Sequence, residues 1–178
     1  MTDKYLLSID PGLSTGVALL KYTDETAPEL VQAWQVGGGA EALNDWVVGR
    51  WPSIEYSSRS VAVIAEKFNA RNTGGFSYTT ASLEPLRCEG VLLARDLPDT
   101  YVQPPQQYLV GGSSKAEKKK RQHRFLKESG FYRTGKDLDA PDADDYRSAA
   151  AHALAYLMRT GHKPTYNLVT EWIERNPV

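Results

Sequence analysis

The sequence predicts a mixed α/β domain in which helices cover both faces of a central sheet. Three apolar or mixed runs at residues 4–9, 16–22 and 30–36 are separated by turn residues, which is typical of an antiparallel meander. A nearly unbroken β-branched run at 60–65 indicates a strand buried in the middle of a sheet. Helical spacing then dominates the second half of the chain, and this order of elements favours a layered α/β architecture.

The remaining elements follow from apolar spacing and from turn residues. They are helices over 40–51, 80–97, 115–129, 142–158 and 166–175, and a short strand over 100–102. Pro85 is expected in the opening turn of the second helix, where proline is best tolerated. Ser114 is the expected cap of the third helix, with Glu117 completing a capping box.

Composition limits the class of protein. The 178 residues suit a single domain over 1–178, with a short helical extension after about residue 160. Basic and acidic residues number 21 and 22, so no overall positive field indicates a nucleic-acid partner. The single cysteine, Cys88, excludes a disulfide framework and a cysteine zinc site. No apolar run approaches the roughly 20 residues of a membrane span, and the N-terminus lacks a secretion signal, so we expect a soluble, cytoplasmic protein with no membrane partner.

Two acids stand at the ends of predicted strands. Asp10 ends the first strand and enters a turn containing Gly12 and Gly16, while Glu66 ends the β-branched strand. Acids are depleted in strands and are rarely buried without a partner. If the two strands are neighbours, the carboxylates lie side by side and need a proton or a cation between them. The alternative for Asp10 is that Asp-Pro simply opens a turn.

A third acidic position is the start of the last long helix. Asp142 and Asp145 are three residues apart and share one helix face, whereas Asp144 is better explained by helix capping. Oxygen ligands without a cysteine suit Mg²⁺ or Mn²⁺, and two such ions would support phosphodiester cleavage. The histidines are not expected to be catalytic. His152 is expected to be a packed or exposed helix residue, and His123 is expected to add charge to the basic stretch.

The third helix is basic within a balanced chain. Between residues 115 and 128 it has seven basic residues against two acidic ones, which predicts a phosphate-binding face; a solvated surface helix is the alternative. The loop after Glu66 interleaves aromatic and polar residues that can stack on bases. The predicted DNA-binding residues are Phe68, Arg71, Phe76, Lys115, Lys118, Lys119, Lys120, Arg121 and Arg124.

Together these motifs resemble those of RuvC-type Holliday-junction resolvases, in the RNase H-like nuclease superfamily. The resemblance covers about residues 4–158 and includes Ile9-Asp10-Pro11-Gly12, Ala65-Glu66, the Asp142/Asp145 pair and the segment from Val110 to Lys118. It implies an RNase H-like mixed five-stranded sheet with helices on both faces. It also implies a homodimer that binds four-way junctions and makes paired nicks, leaving 5′-phosphate and 3′-hydroxyl ends.

The resemblance further implies site roles. Asp10, Glu66, Asp142 and Asp145 would hold two Mg²⁺ or Mn²⁺ ions, and Lys118 would act near the scissile phosphate. Gln106 and Gln107 stand where the family often has a second lysine, and the run at 118–121 is unusually basic. A bacteriophage resolvase, acting in the host cytoplasm, would fit such a compact and divergent chain.

Three other functions remain open from the sequence. An endonuclease of flaps or other branched DNA differs only in substrate preference. A non-catalytic junction-binding module would have the same fold, although all four acids are present. An actin-like or sugar-kinase ATPase would need a second phosphate loop, which the sequence lacks.

Overall fold

The strands of the computed structural model form one mixed sheet. Residues 2–53, 61–68, 79–97, 100–103, 108–132 and 145–178 are described. The strands are β1 (Lys4–Asp10), β2 (Ser14–Tyr22), β3 (Glu29–Gly37), β4 (Val61–Glu66) and the short β5 (Thr100–Gln103). Their order across the sheet is β3-β2-β1-β4-β5. The first three are antiparallel, as the meander predicted, while β4 is parallel to β1 and to β5.

The described residues include five α-helices beside the sheet. They are α1 (Gly39–Asp45), α2 (Thr80–Ala94), α3 (Lys115–Glu128), α4 (Asp145–Arg159) and α5 (Lys163–Arg175). The helix expected over 40–51 is α-helical only to Asp45 and continues as a π-helical turn and a short 3₁₀ turn. Within the described part of the chain, no helix is both long and apolar enough to cross a membrane.

Alternating side chains of the strands build a core on each face. Leu6 and Ile64 point to the layer of α3, α4 and α5, while Leu7 and Val63 point to the layer of α1 and α2. All four are at most 1% exposed. The prediction of a mixed α/β fold with helices on both faces of the sheet is therefore confirmed.

Helix α2 differs from its prediction in two respects. Pro85 is the sixth residue, inside the helix and beyond the opening turn. The buried face consists of Glu84, Cys88 and Leu92, spaced four residues apart, whereas Leu86 is 51% exposed. The apolar spacing of this segment correctly predicted a helix, but it gave no sign that a glutamate lies on the inward face.

Candidate metal centre and adjoining basic groove

Asp10 and Glu66 lie side by side at one edge of the sheet. The parallel ladder pairs Ile9 with Ala65, so the next residue of each strand delivers its carboxylate to the same place. Both residues are partly buried, and their carboxyl groups share a hydrogen bond. Neighbouring parallel strands therefore create the paired acids that the sequence predicted only conditionally.

The electrostatics of Asp10 are strongly perturbed. Burial raises the pKa of Asp10 to about 8, with further contributions from its hydrogen bond to Glu66 and from the negative charges of Glu66 and Asp145. A hydrogen bond from the Ser148 hydroxyl partly opposes these effects. The pair therefore retains a proton at neutral pH in the absence of a cation. A divalent cation is the species that would allow both carboxylates to ionise.

Helix α4 begins against the hairpin that contains Asp10. Gly16 is the ladder partner of Asp10, and a Cβ atom at Gly16 would lie 2.1 Å from the carbonyl oxygen of Asp145. Only glycine permits this approach. On the other side, Gln35 Nε2 of β3 donates to Asp145 Oδ2 at 3.0 Å. These contacts fix the start of α4 beside the sheet edge.

His152 joins the same group from two turns further along α4. Its Nε2 atom is 3.4 Å from Glu66 Oε2, and donor atoms of Asp10, Glu66 and His152 all lie within 4.8 Å of one another. Burial lowers the pKa of His152, which outweighs the opposing effect of Glu66, so the imidazole is neutral at pH 7. The donor set is therefore two carboxylates and one neutral imidazole, which suits a divalent cation.

The turn between β1 and β2 is held from several sides. Gly12 N donates to Thr15 Oγ1 at 3.2 Å, and the Cys88 thiol donates to the Gly12 carbonyl oxygen at 3.5 Å. The Leu13 carbonyl accepts from the backbone amides of residues 38 and 39 at 3.0 and 2.9 Å. These bonds fix the turn immediately after Asp10 and so fix the direction of its strand end.

A groove of about 480 Å³ connects this edge to the basic helix. Lys119 and Lys120 line it from α3, while Asp145, Arg147 and Ser148 line it from α4. Both lysines are exposed. Mobile positive charges thus face the same cavity as the first acid of α4, an arrangement suited to a phosphate backbone that passes the acidic cluster.

Arg147 extends the basic wall in a way that the sequence did not predict, and it contacts His123. Arg147 lies 5.0 Å from the Tyr132 ring centre, and its Nη1 atom is 2.9 Å from His123 Nε2. Burial lowers the pKa of His123, and the charges of Arg147 and Lys127 lower it further. His123 is therefore neutral at pH 7 and adds no charge, contrary to the expectation for this residue.

The other predicted site residues have varied positions. Lys118 is half-buried where α3 packs against Gly112, and it does not line the groove. Arg121 donates to the carbonyl oxygens of Asn176 and Pro177 at 2.6 and 3.2 Å, beyond the end of α5. Arg124 pairs with Glu128 at 2.7 Å.

Two of the remaining predicted residues are described and three are not. Lys115 is exposed at the start of α3, and the Phe68 amide donates to Glu89 at 3.3 Å. Asp142, Arg71 and Phe76 lie outside the described residues. The structure therefore places Asp10, Glu66 and Asp145 at one sheet edge, adds His152 to them, and directs only part of α3 toward that edge.

Similarity to known proteins is found in structure and not in sequence. No protein-family model and no curated protein matches the sequence. RuvC of Thermus thermophilus with a Holliday-junction substrate matches with a TM-score of 0.56 at 18% identity, over 89% of this chain and 97% of that one. A second Thermus thermophilus RuvC structure gives 0.54 at 16% identity, with the same coverage.

A third similar structure is the Fowlpox virus resolvase with Holliday-junction DNA. It gives a TM-score of 0.40 at 15% identity, over 98% of this chain and 99% of that one. The two RuvC comparisons cover most of both chains and show a likeness of fold. The chain has a RuvC-type fold.

Proposed function

We propose that this protein is a divalent-metal-dependent endonuclease that resolves four-way DNA junctions. The observation that carries the proposal is the meeting of Asp10, Glu66 and His152 at a sheet edge that adjoins a basic groove. The solved structures with similar folds include RuvC with a Holliday-junction substrate, which supports the choice of substrate class. Metal dependence is supported by the donor set and by the proton that Asp10 and Glu66 share.

In the proposed mechanism, some residues would bind the metal ions and others would orient these ligands. Asp10 and Glu66 would hold Mg²⁺ or Mn²⁺ between them, and Asp145, with Asp142 as a further expected ligand, would complete sites for two ions. Bound there, the ions would supply Lewis acidity toward the scissile phosphate and lower the pKa of a bound water. Ser148 and Gln35 would orient Asp10 and Asp145 through their hydrogen bonds.

The basic groove would position the substrate. Lys119, Lys120 and Arg147 would bind phosphates on either side of the scissile bond, and Lys115 would extend this path along α3. The family resemblance assigns a lysine near the scissile phosphate to Lys118, whereas Lys119 and Lys120 are the lysines that line the groove. A lysine at any of these three positions would stabilise negative charge on the phosphate as the phosphodiester bond breaks. Stacking by Phe68 and by the loop after it remains part of the proposal.

Two copies are needed for paired nicks. The chain provides one acidic centre, and symmetric cleavage of a junction requires two, so we propose a homodimer that leaves 5′-phosphate and 3′-hydroxyl ends. An endonuclease of flaps or other branched DNA would use the same centre. The two differ in the preferred substrate and in the pairing of the cuts.

The test is cleavage by an Asp10→Asn variant and by a matched Asp24→Asn control. Asp24 is exposed and pairs with Lys4 at 2.6 Å, remote from the acidic edge in sequence and function. With Mg²⁺ or Mn²⁺, the unaltered protein and the control should nick a four-way junction symmetrically, while Asp10→Asn should bind it and cleave at least 100-fold more slowly.

Cleavage assays with matched flap and duplex DNAs determine which DNA structure the protein prefers. Preferential cleavage of the flap would transfer the assignment to a branched-DNA endonuclease. Junction binding without cleavage by the unaltered protein, in either metal, would identify a binding module. Normal cleavage by Asp10→Asn would show that the proposed metal centre is not the site of cleavage.

A further inference from the structure

We propose that His152 is itself a ligand of the divalent cation, through Nε2, and that this nitrogen ligand shifts the preference of the centre from Mg²⁺ toward Mn²⁺. The inference rests on the proposed metal centre and specifies its coordination and its selectivity. None of the sequence motifs that indicated the acids pointed to an imidazole among them.

The spacing of the donor atoms favours a shared ion. His152 Nε2 lies 3.4 Å from Glu66 Oε2, longer than the roughly 2.9 Å of a typical N–H···O hydrogen bond. Two ligand atoms bound side by side to one ion, each at about 2.1 Å, are separated by roughly 3 Å. The whole set, which includes an Asp10 oxygen, lies within 4.8 Å, so small movements bring all three donors onto one cation.

The surroundings of His152 give no other reason for an imidazole. The residue is 7% exposed on the inward face of α4, between Ala149 and Ala153, which are fully buried. A buried polar group is costly unless it has partners, and an apolar side chain would pack as well here. Among the described residues, Nδ1 has no hydrogen-bond partner, so Nε2 and its acidic neighbours are the only polar contact of the ring.

The selectivity follows from ligand chemistry. Mg²⁺ prefers oxygen ligands and is bound in proteins mainly by carboxylates and water. Imidazole favours first-row transition ions, and Mn²⁺ is the member of that series that, like Mg²⁺, also suits carboxylate and water ligands. A neutral nitrogen ligand also adds no negative charge to the carboxylates that Mg²⁺ sites use. The centre should therefore bind Mn²⁺ more tightly than an all-carboxylate centre would, relative to Mg²⁺.

The experiment is pulsed electron paramagnetic resonance of bound Mn²⁺, which detects a directly coordinated ¹⁴N nucleus without any turnover. The chain has only three histidines, so each can be replaced in turn. His152→Asn and His152→Asp are the test variants; His123→Gln and His162→Gln are the controls. Circular dichroism identifies which of the two test variants folds, and one folded variant is sufficient.

The expected result is a ¹⁴N coupling in the unaltered protein and in both controls, and its loss in the His152 variants. Competition titration should show that the ratio of Mn²⁺ to Mg²⁺ affinity falls by roughly 10-fold or more in His152→Asp. If His152 only orients Glu66, the unaltered protein binds Mn²⁺ without ¹⁴N coupling, which overturns the inference and leaves the proposed centre in place. Failure of the unaltered protein to bind Mn²⁺ or Mg²⁺ at all, at millimolar concentration, would overturn both.

Discussion

At the scale of single residues, the carboxyl group of Asp10 is costly to ionise. It lies between Glu66 and Asp145 and is largely removed from water, so its charged form is unfavourable until a cation is bound. Ser148 is the described neighbour that acts in the opposite direction, by donating to its carboxylate. The metal-free protein therefore gains stability from a proton that the metal-bound protein would have to release.

This predicts an unusual pH dependence for the metal-free protein. The pKa of Asp10 rises from 3.8 to about 8 on folding, so the folded state binds more protons than the unfolded state between these values. The free energy of unfolding should fall from pH 4 to pH 8 and change little above that range. Asp10→Asn should remove this loss and raise the stability at pH 8 by up to roughly 5 kcal/mol.

Denaturant unfolding in the presence of a chelator measures the effect. The variant and the unaltered protein should differ at pH 8 and agree closely at pH 4. A constant difference at both pH values would show that the carboxyl group of Asp10 is not the source. Added Mn²⁺ should stabilise the unaltered protein at pH 8 and leave Asp10→Asn nearly unaffected.

Some residues of the proposed metal centre could be predicted from the sequence, and others could not. Asp10 and Glu66 were apparent because each interrupts the apolar composition of a strand at its end. His152 was not, because a lone histidine within an alanine-rich helix face usually packs in the core. Its spacing of seven residues from Asp145, with Ser148 between them, places all three on one helix face, and this was the available signal.

At the scale of secondary-structure elements, the decisive contact is the seating of α4 on the hairpin. A Cβ atom at Gly16 would meet the backbone of Asp145 and Tyr146, with distances of 2.1 to 2.5 Å to the nearest atoms. Backbone atoms cannot yield as a flexible side chain can. The glycine thus sets the distance between the strand that holds Asp10 and the helix that holds Asp145 and His152.

Gly16→Ala should therefore damage the centre without altering any ligand. Moving α4 outward should weaken Mn²⁺ binding at least 10-fold and lower the free energy of unfolding by about 2–4 kcal/mol. Gly37→Ala is the matched control, since it lies in a strand of the same sheet and its Cβ would meet nothing within 4 Å. Isothermal titration with Mn²⁺ and thermal unfolding provide the measurements; equal behaviour of the two variants would contradict the proposed role of Gly16.

Helix α3 has two functions on two faces. Lys119 and Lys120 line the groove, whereas Arg121 binds the carbonyl oxygens that follow α5 and lies 5.5 Å from the Trp172 ring centre. Trp172 also donates to Glu128 at 2.8 Å. Charge alone could not separate these faces, because the sequence shows four consecutive basic residues and gives no indication of where α5 packs.

Substitutions in this run should separate binding from stability. Lys119→Gln and Lys120→Gln should each weaken junction binding and reduce the dependence of log affinity on log salt by about 1. Arg121→Gln should instead lower the melting temperature by several degrees, because it releases the end of α5. The affinity for junction DNA and its salt dependence would be measured by salt titration in a background that binds DNA without cleaving it. The same loss of salt dependence for Arg121→Gln would show that this arginine also contacts DNA.

At the scale of the whole molecule, two symmetric cuts require an association of two chains. Leu86 and Leu93 are seven residues apart on α2 and are 51% and 60% exposed, on the layer of the sheet opposite α4. This leucine pair is the candidate contact between two copies. The exposure of Leu86 favours a role in an interface over a role in the core.

Leu86→Glu combined with Leu93→Glu should convert the proposed homodimer to a monomer in analytical ultracentrifugation. The double variant should still nick junction DNA but should lose the pairing of the two cuts. Tyr166→Glu is a suitable control, because Tyr166 is 56% exposed on α5. A double variant that remains dimeric would place the subunit contact elsewhere.

The seating of α4 on the first hairpin also has a consequence for the timing of activity during synthesis. The acids of β1 and β4 leave the ribosome early, but Asp145 and His152 are in the penultimate helix, after the basic helix has been made. On the proposed function, a nascent chain would carry its basic helix while its metal centre still lacks Asp145 and His152. Cleavage would then begin only after α4 has been translated.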